Sequence, residues 1–286
     1  MKGLKSADEL GSVAARTIIG LKSERTPGRA VAKDLTKFLV QSIERARNRA
    51  APFYHLEFDR VFPDDIYAAL LREMPDDNDY RALRGRHDEN LLDDGSSTRV
   101  KIDLFPEYIH KLPPRKRELW DEVGRALCSD EVKAAFMRRL GPGLERRFGA
   151  NYNAVRMFPI PVLTRDFPKY KITPHTDTHW KGITVQFYLP PDDATKNIGT
   201  IFNERLPDGS MQDAIKMPFS PNSGYAFAVD GNTWHSTDPV GPEVKTRDSI
   251  LLTYFVDSGP LRILRNRGKR IGNFVRNEVK SLVRRG

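Results

Sequence analysis

The chain has 286 residues, of which 39% are hydrophobic and 30% charged, and it carries a formal net charge of +9. That length supports one large domain with a sizeable core. The mix is that of an ordinary soluble globular protein rather than a disordered or collagenous one, and no apolar run reaches the roughly 20 residues of a membrane-spanning helix. A single cysteine, Cys128, excludes an internal disulfide framework and a cysteine-rich metal site. Lys2 and Lys5 are followed by Asp8 and Glu9 where a secretory leader would turn apolar, so a reducing cytoplasm is the expected setting.

The first half reads as helical. Residues 34–48 hold Leu35, Phe38, Leu39, Ile43 and Ala46 at helix-like spacing, and 63–74 opens with a proline and two acids. Between them, 52–58 reads as a short strand or an extended approach. Residues 76–97 are polar, charged and punctuated by glycine, which predicts a loop. Helices are expected at about 115–128 and 130–140, after which Gly141-Pro142-Gly143 interrupts the pattern before a short helix to Phe148.

Beyond Ala150 the character changes. Runs rich in β-branched and aromatic residues at 154–158, 183–189, 200–203, 225–229 and 249–256 are separated by turn residues, the pattern of an antiparallel sandwich or jelly roll. The expected fold is α+β. A mainly helical layer (1–150) packs on a double-stranded β-helix, a jelly-roll, cupin-like barrel (151–258), and a basic amphipathic helix follows (259–286).

The charge is unevenly placed. From Leu261 to the end, nine basic residues face one acid, Glu278, so the tail carries +8 and the body is nearly neutral. The body's charge gives no support to a nucleic-acid substrate. The tail, with Leu261, Ile263, Leu264, Ile271, Phe274, Val275, Val279 and Leu282 among its bases, suits an anionic membrane surface or an acidic partner. It equally suits a helix whose apolar stripe packs on the domain.

The informative segment runs from Tyr170 to Trp180 and contains His175-Thr-Asp177-Thr-His179. Residues two apart on an extended strand share a face, so His175 and Asp177 can reach one ion together. An imidazole and a carboxylate suit divalent iron, manganese or zinc. A turn in which both side chains bond nearby backbone is the competing reading. His235, some sixty residues on, supplies a third ligand if the strands return across an antiparallel barrel. Two histidines and one carboxylate cover one face of an ion and leave the other positions open. Arg247 lies twelve residues after His235, and Ser249 points to the same side of an extended strand. A strand out from His235, a turn through Gly241-Pro242-Glu243 and a return strand would bring Arg247 to the same end of the barrel. There its guanidinium can grip a carboxylate through two charge-assisted bonds. A surface salt bridge with Asp248 or Glu243 is the bland reading of Arg247.

The order His-X-Asp, then His, then Arg-X-Ser at this spacing resembles the 2-oxoglutarate/Fe(II) oxygenase superfamily, most closely its prolyl-hydroxylase-like branch. The resemblance runs from about Met157 to Phe255 and includes Gly199-Thr200 and Pro221-Asn222-Ser223-Gly224. It implies that His175, Asp177 and His235 hold iron and form the catalytic centre, and that Arg247 and Ser249 bind the distal carboxylate of 2-oxoglutarate. It also implies Fe(II), 2-oxoglutarate and dioxygen as cofactors, with ascorbate a candidate stimulant. The reaction implied couples decarboxylation of 2-oxoglutarate to succinate with oxidation of a substrate carbon. Halogenating relatives replace the aspartate by a small residue, so Asp177 implies hydroxylation or desaturation.

Around this set, Thr184, Gln186 and Tyr188 alternate on one strand face. They either line the barrel and contact 2-oxoglutarate or face solvent. Lys181 supplements the anion site or is solvated. His179 becomes a fourth ligand if the strand continues past Asp177, and otherwise serves a substrate-side or structural role. Tyr170 and Trp234 wall the pocket or belong to the core, and Arg99 and Lys101 alternate in an extended stretch from which they could reach an anionic substrate. His55, His87 and His110 have no constellation around them. A cupin-like metal-binding barrel without oxygenase activity, an isomerase or a metabolite-binding protein, shares the barrel and histidines but does not need Arg247-X-Ser249. A hydrolytic zinc enzyme lacks its HExxH signature here. The substrate class stays open among small molecules, amino acids, glycans and peptidyl groups.

Overall fold

Residues 27–83, 91–92 and 94–257 are described by the computed structural model of the chain, the first seven of them as backbone only. The expected basic helix over 259–286 and His87 lie outside the described residues. Helix α1 (Pro27–Arg45) leads into a hairpin of β1 (Arg47–Arg49) and β2 (His55–Phe58). Helix α2 (Asp64–Arg72) carries Asp64 and Asp65 in its first turn and Arg72 in its last, which complements the helix dipole. The short strands β3 (Arg81–Ala82) and β4 (Arg99–Asp103) pair with each other. Three helices follow: α3 (Pro106–Ile109), α4 (Pro114–Leu127) with proline in its first turn, and α5 (Asp130–Arg139), capped by the Ser129 hydroxyl accepting from Val132 N–H at 3.3 Å.

Helix α6 (Gly141–Phe148) begins at the segment expected to interrupt the helical pattern. Proline is tolerated there because the first-turn N–H groups have no helical partner. The β-rich half contains β5 (Met157–Asp166), β6 (Ile172–His175), β7 (Lys181–Tyr188), β8 (Ile201–Arg205), β9 (Met211–Lys216), β10 (Gly224–Ala228), β11 (His235–Thr237) and β12 (Arg247–Val256).

These strands form two antiparallel sheets. The large sheet has the order β1-β2-β10-β7-β12-β5-β4-β3, and the small sheet β6-β11-β8-β9. The segment expected to be a helical layer therefore also supplies four strands of the large sheet. No closed barrel is formed by the described strand pairings; the architecture is two sheets.

Alternation along the large sheet separates its two faces. Leu163, Val185, Phe187, Ile250 and Leu252 point outward and pack against α1, α4 and α5 through Leu39, Trp120, Val123 and Phe136, all buried. Phe136 stands edge-on or tilted to Phe58 and Tyr254 at 6.2 and 5.8 Å, and each large apolar side chain so buried contributes roughly 1.5–3 kcal/mol. The inward face meets the small sheet through a second aromatic cluster of Tyr188, Phe202, Phe219, Tyr225 and Phe227.

Two glycines in the family-like segments are demanded by close approach. A Cβ at Gly199 would lie 1.6 Å from the Met217 carbonyl oxygen, and one at Gly224 would lie 2.3 Å from that of Gln186. Between them, Asn222 adopts φ 55°, a left-handed conformation asparagine tolerates. Its buried amide accepts from Val61 and Phe62 N–H at 3.1 and 2.8 Å and donates to Phe62 O at 2.8 Å, tying the β10 approach to the N-terminal half.

Several sequence expectations need correction. The strand expected at 154–158 begins only at Met157 and runs on to Asp166, while Tyr152–Ala154 forms a 3-10 turn. Pro159 and Pro161 sit within this strand, and the sequence pattern marked it too short because proline usually demotes a strand. Residues 76–97 are not wholly loop, since they include a 3-10 turn at Asp77–Asp79 and β3. His235 and Arg247 do not flank a hairpin in one sheet: β11 lies in the small sheet and β12 in the large one.

Candidate active site

The three expected metal ligands come together. One ligand atom from each of His175, Asp177 and His235 lies within 4.8 Å of the others, a spread that small side-chain movements close around a single ion. His175 and His235 are direct cross-strand partners in the β6–β11 pair, with ring centroids 4.3 Å apart. Strand β6 ends at His175, so Asp177 projects from the loop beyond it rather than from the same strand face. Asp177 is held from the opposite sheet. Thr184 donates to Oδ2 and the Lys181 ammonium to Oδ1, each at 2.5 Å. The site thus joins the two sheets.

The protonation states suit a metal. The Nδ1 of His175 lies 3.0 Å from the Thr173 carbonyl, and the Nδ1 of His235 lies 3.0 Å from that of Thr233. A carbonyl only accepts, so each Nδ1 carries the proton and each Nε2 presents its lone pair, as metal ligation requires. Burial drives His235 down to about 4 against the opposing pull of Asp177, which leaves it neutral near pH 7. Burial pushes Asp177 upward, but the Lys181 ammonium and His235 outweigh it and bring the carboxyl to about 2. Two imidazoles and one carboxylate therefore face the same point.

A single guanidinium braces both ligand-bearing loops. Arg147 on α6 donates to the main-chain carbonyls of His179 and Lys181, just after Asp177, and of Val229, at 2.6 Å, on the approach to His235. His179 itself is exposed, stands edge-on to Trp180 at 4.8 Å and is not in the metal cluster. The strand that would have aimed it at the ion ends four residues earlier. Sequence reading missed Arg147, because nothing local marks a helical arginine that serves distant carbonyls.

The expected anion-binding residues lie on the inward face of β4, β5, β7 and β12. Arg99, Asp166 and Arg247 are register partners across β4, β5 and β12. Asp166 accepts from Arg247 Nη1 at 2.8 Å through one oxygen, while Arg99 bonds both oxygens at 2.5 and 2.8 Å. Arg247 and Asp166 are fully buried. Two guanidinium groups thus share one carboxylate, leaving one positive charge uncompensated within the triad. In addition, Nε and Nη2 of Arg247 meet no partner in good hydrogen-bond geometry among the described residues, with the Tyr188 hydroxyl the nearby group that acts on the guanidinium. Buried cations with open donors are costly unless an anion completes them. A carboxylate received by those two donors does so.

The next row continues the pocket. Ser249 faces Thr164 on one side and Tyr188 on the other. Its hydroxyl lies 2.9 Å from that of Thr164 and accepts from Gln186 Nε2 at 2.9 Å. Tyr225 donates to Gln186 Oε1 at 2.7 Å, and the Tyr188 hydroxyl accepts from Thr200 N–H at 2.9 Å. Thr184, Gln186 and Tyr188 are therefore inward and buried, not solvent-facing. Of these three, Thr184 is bound to Asp177. The Arg247 guanidinium packs against the Phe219 and Tyr188 rings at 5.3 and 5.7 Å.

Burial raises the Tyr225 hydroxyl well above its usual value, and both Arg247 and Asp177 act on it electrostatically. Thr184, bonded to Asp177, and Gln186, bonded to Ser249, stand on one face of β7, so the metal cluster and the arginine pocket share one interior. Tyr170, raised to about 12 chiefly by burial, closes the arginine end, with the Arg99 guanidinium 4.0 Å above its ring. Trp234 is partly buried, 5.8 Å from the Arg205 guanidinium. Lys181 pairs with Asp177 rather than joining the arginine pocket, and His55 is buried against Phe53 and Phe202.

No protein-family model matches the sequence, and no curated protein matches it. Solved structures do. A prolyl hydroxylase from Trichoplax adhaerens, in complex with a hypoxia inducible factor oxygen degradation domain peptide fragment, aligns over 82% of this chain and 94% of its own. The TM-score is 0.50 at 12% identity. The chain shares the fold of this prolyl hydroxylase. A prolyl-4-hydroxylase from Pseudomonas putida aligns over 78% of this chain and all of its own, with a TM-score of 0.45 and 16% identity. A 2OG-Fe(II) oxygenase family oxidoreductase from Burkholderia pseudomallei aligns over 70% and 84%, with a TM-score of 0.40 and 12% identity. In a prolyl-hydroxylase-like fold, the His-Asp-His cluster and the buried arginine lie between the two sheets, where side chains of both converge.

Proposed function

We propose that this protein is a non-haem Fe(II), 2-oxoglutarate-dependent dioxygenase that hydroxylates a small-molecule or peptidyl substrate. The observation that carries the reading is Arg247. A fully buried guanidinium with two open donors stands in the same interior as a two-histidine, one-carboxylate cluster. A cupin-like metal-binding protein that uses no 2-oxoglutarate does not need that combination.

Iron(II) bound by His175, Asp177 and His235 would supply the redox chemistry that couples decarboxylation of 2-oxoglutarate to oxidation of the substrate. The protein's own residues do the rest. Arg247 receives the distal carboxylate through Nε and Nη2, and Ser249, fixed by Thr164 and Gln186, stands one residue pair along the same strand face to donate beside it. Lys181 and Thr184 keep Asp177 ionised and oriented. The Tyr188, Phe219 and Phe227 rings exclude water from between these groups. A reducing cytoplasm suits ferrous iron and the lone Cys128.

The test is an oxygen-free titration. Iron-loaded protein should develop a weak visible absorption on adding 2-oxoglutarate, and with oxygen it should release succinate. His175→Ala and Asp177→Ala should abolish both signals. Iron-loaded wild-type protein that gives neither would remove the assignment.

A further inference from the structure

Two segments leave the large sheet side by side and carry metal ligands away from it. Ala228 and Ile183 are the last register partners of β10 and β7, and beyond them Val229 N–H donates to the Gly182 carbonyl at 2.9 Å. From this divergence the chain runs forward to His235 and backward to Asp177. Helix α6 stands directly against it. A Cβ on Gly143 would lie 2.9 Å from that of Ala228, and Leu144 is buried in the core. The last turn of α6 carries two consecutive arginines, and each leads into a different ligand.

The Arg147 arm is short. Its Nη1 donates to the Lys181 and Val229 carbonyls, one on each diverging segment, and its Nη2 donates to that of His179. Lys181 then reaches Asp177 Oδ1 through its ammonium at 2.5 Å. The Phe148 ring lies 4.5 Å from the guanidinium and limits its swing. The Arg146 arm is longer. Arg146 Nε meets Asp230 Oδ2 at 3.2 Å, and the Asn232 amide, turned to present its oxygen, accepts from the same guanidinium at 3.1 and 3.2 Å. The Thr233 hydroxyl donates to the Asp230 carbonyl at 2.9 Å, and the Thr233 carbonyl accepts from His235 Nδ1 at 3.0 Å.

The two arms differ in weight. The Arg146 side chain is 63% exposed, and an ion pair in that setting contributes little. Arg147 is partly buried and bonds three main-chain carbonyls at once. Only the rigid guanidinium spans such a set, since a lysine ammonium presents its donors from a single atom.

We propose that Arg147 is a positioning residue for the metal centre. By fastening the Asp177 segment to the His235 segment from outside, it sets the separation of the two ligands and hence how tightly the ion is held. The proposal rests on the metal-binding part of the oxygenase reading and adds to it a control point on α6. Arg147 acts through Lys181 and the main chain, with Arg146 as a weaker second tie.

The experiment titrates full-length protein with Mn(II) without oxygen and follows the free and bound ion by electron paramagnetic resonance. Arg147→Met should raise the Mn(II) dissociation constant about tenfold or more, as loss of groups that hold metal ligands from behind does, and should broaden the bound-ion spectrum. Arg147→Lys keeps the charge but not the planar donor set. It should fall between wild type and Arg147→Met, and it carries the test should Arg147→Met not fold. Mn(II) affinity and spectrum unchanged in the folded variants overturn the proposal, because a residue that only stabilises the fold would lower the urea midpoint and leave the bound ion as it was. A larger loss in Arg146→Met than in Arg147→Met overturns it as well, since the exposed arm would then be the one that matters. Wild-type protein that binds no Mn(II) fails the oxygenase reading itself, and this proposal with it.

Discussion

Among the described residues, Arg247 leaves more buried side-chain atoms without a partner than any other. It is enclosed, shares Asp166 with Arg99 and keeps two donors open. Arg247→Leu should therefore raise the dissociation constant for 2-oxoglutarate on the order of 100-fold, the loss of two charge-assisted bonds, while Mn(II) affinity stays close to wild type. Oxygen-free titration of each ligand separates the two effects. The ligand pair makes a different prediction. Burial holds His235 down at about 4 against its ordinary 6.5, and Lys181 and His235 outweigh burial to hold Asp177 at about 2 against its ordinary 3.8. In both cases the unfolded chain takes up its proton at the higher pH. Metal-free stability from these groups is thus complete above pH 6.5. It declines as the pH falls towards 4 through His235, and declines again between 3.8 and 2 through Asp177. Urea midpoints from pH 7 to 4.5 should fall, and His235→Asn should flatten that slope. At this scale the sequence was informative where chemistry is tied to residue type: His175, Asp177, His235 and Arg247 stand out by kind and order. Asp166 did not, because an acid ending a strand looks like any surface acid until register places it between two arginines. Arg99 drew notice only as part of an extended stretch, and its role became clear through the same register.

At the scale of elements, helices were read from apolar spacing and strands from β-branched runs, and the misses have physical causes. Proline inside β5 concealed a ten-residue strand. Short strands such as β11, three residues long, carry too little pattern to register at all. Asp177 was assigned to a strand that stops two residues before it, yet it reaches the cluster because Thr184 and Lys181 pull it there. The turn before β10 is better specified. Asn222 spends its side-chain amide on Val61 and Phe62, and Phe62 N–H has that oxygen as its partner at 2.8 Å. Asn222→Ala should destabilise the fold by about 2–3 kcal/mol, since it strands buried polar groups and places a Cβ without the asparagine bonds at positive φ. Denaturant unfolding of the variant measures this. An unchanged midpoint would mean that the turn does not depend on those bonds.

For the whole molecule, two-layer character and the helical covering were legible, whereas the division into an eight-stranded and a four-stranded sheet was not. Sheet membership depends on pairings between segments far apart in the chain, such as β2 with β10, which no local pattern encodes. One result follows for stability. Two ligands belong to the small sheet and the third is fastened to the large one, so an ion between them cross-links the sheets. Mn(II) at 100 times its dissociation constant should stabilise the fold by about 2.7 kcal/mol, and Asp177→Ala should abolish the shift. Thermal unfolding with and without the ion reads it out.

The carboxylate shared by Arg99 and Arg247 implies a form of remote tuning. Asp166 divides its attraction between two cations, so each is restrained less than it would be by an acid of its own. Replacing Arg99 by leucine would give Asp166 a single client and turn the triad into a neutral pair. The pocket would then lose appetite for a dianion although the altered residue never meets it. Co-substrate affinity should fall in Arg99→Leu and recover in Arg99→Lys. The natural stoichiometry of two to one would then be the setting that fixes how readily the pocket fills at a given supply of 2-oxoglutarate.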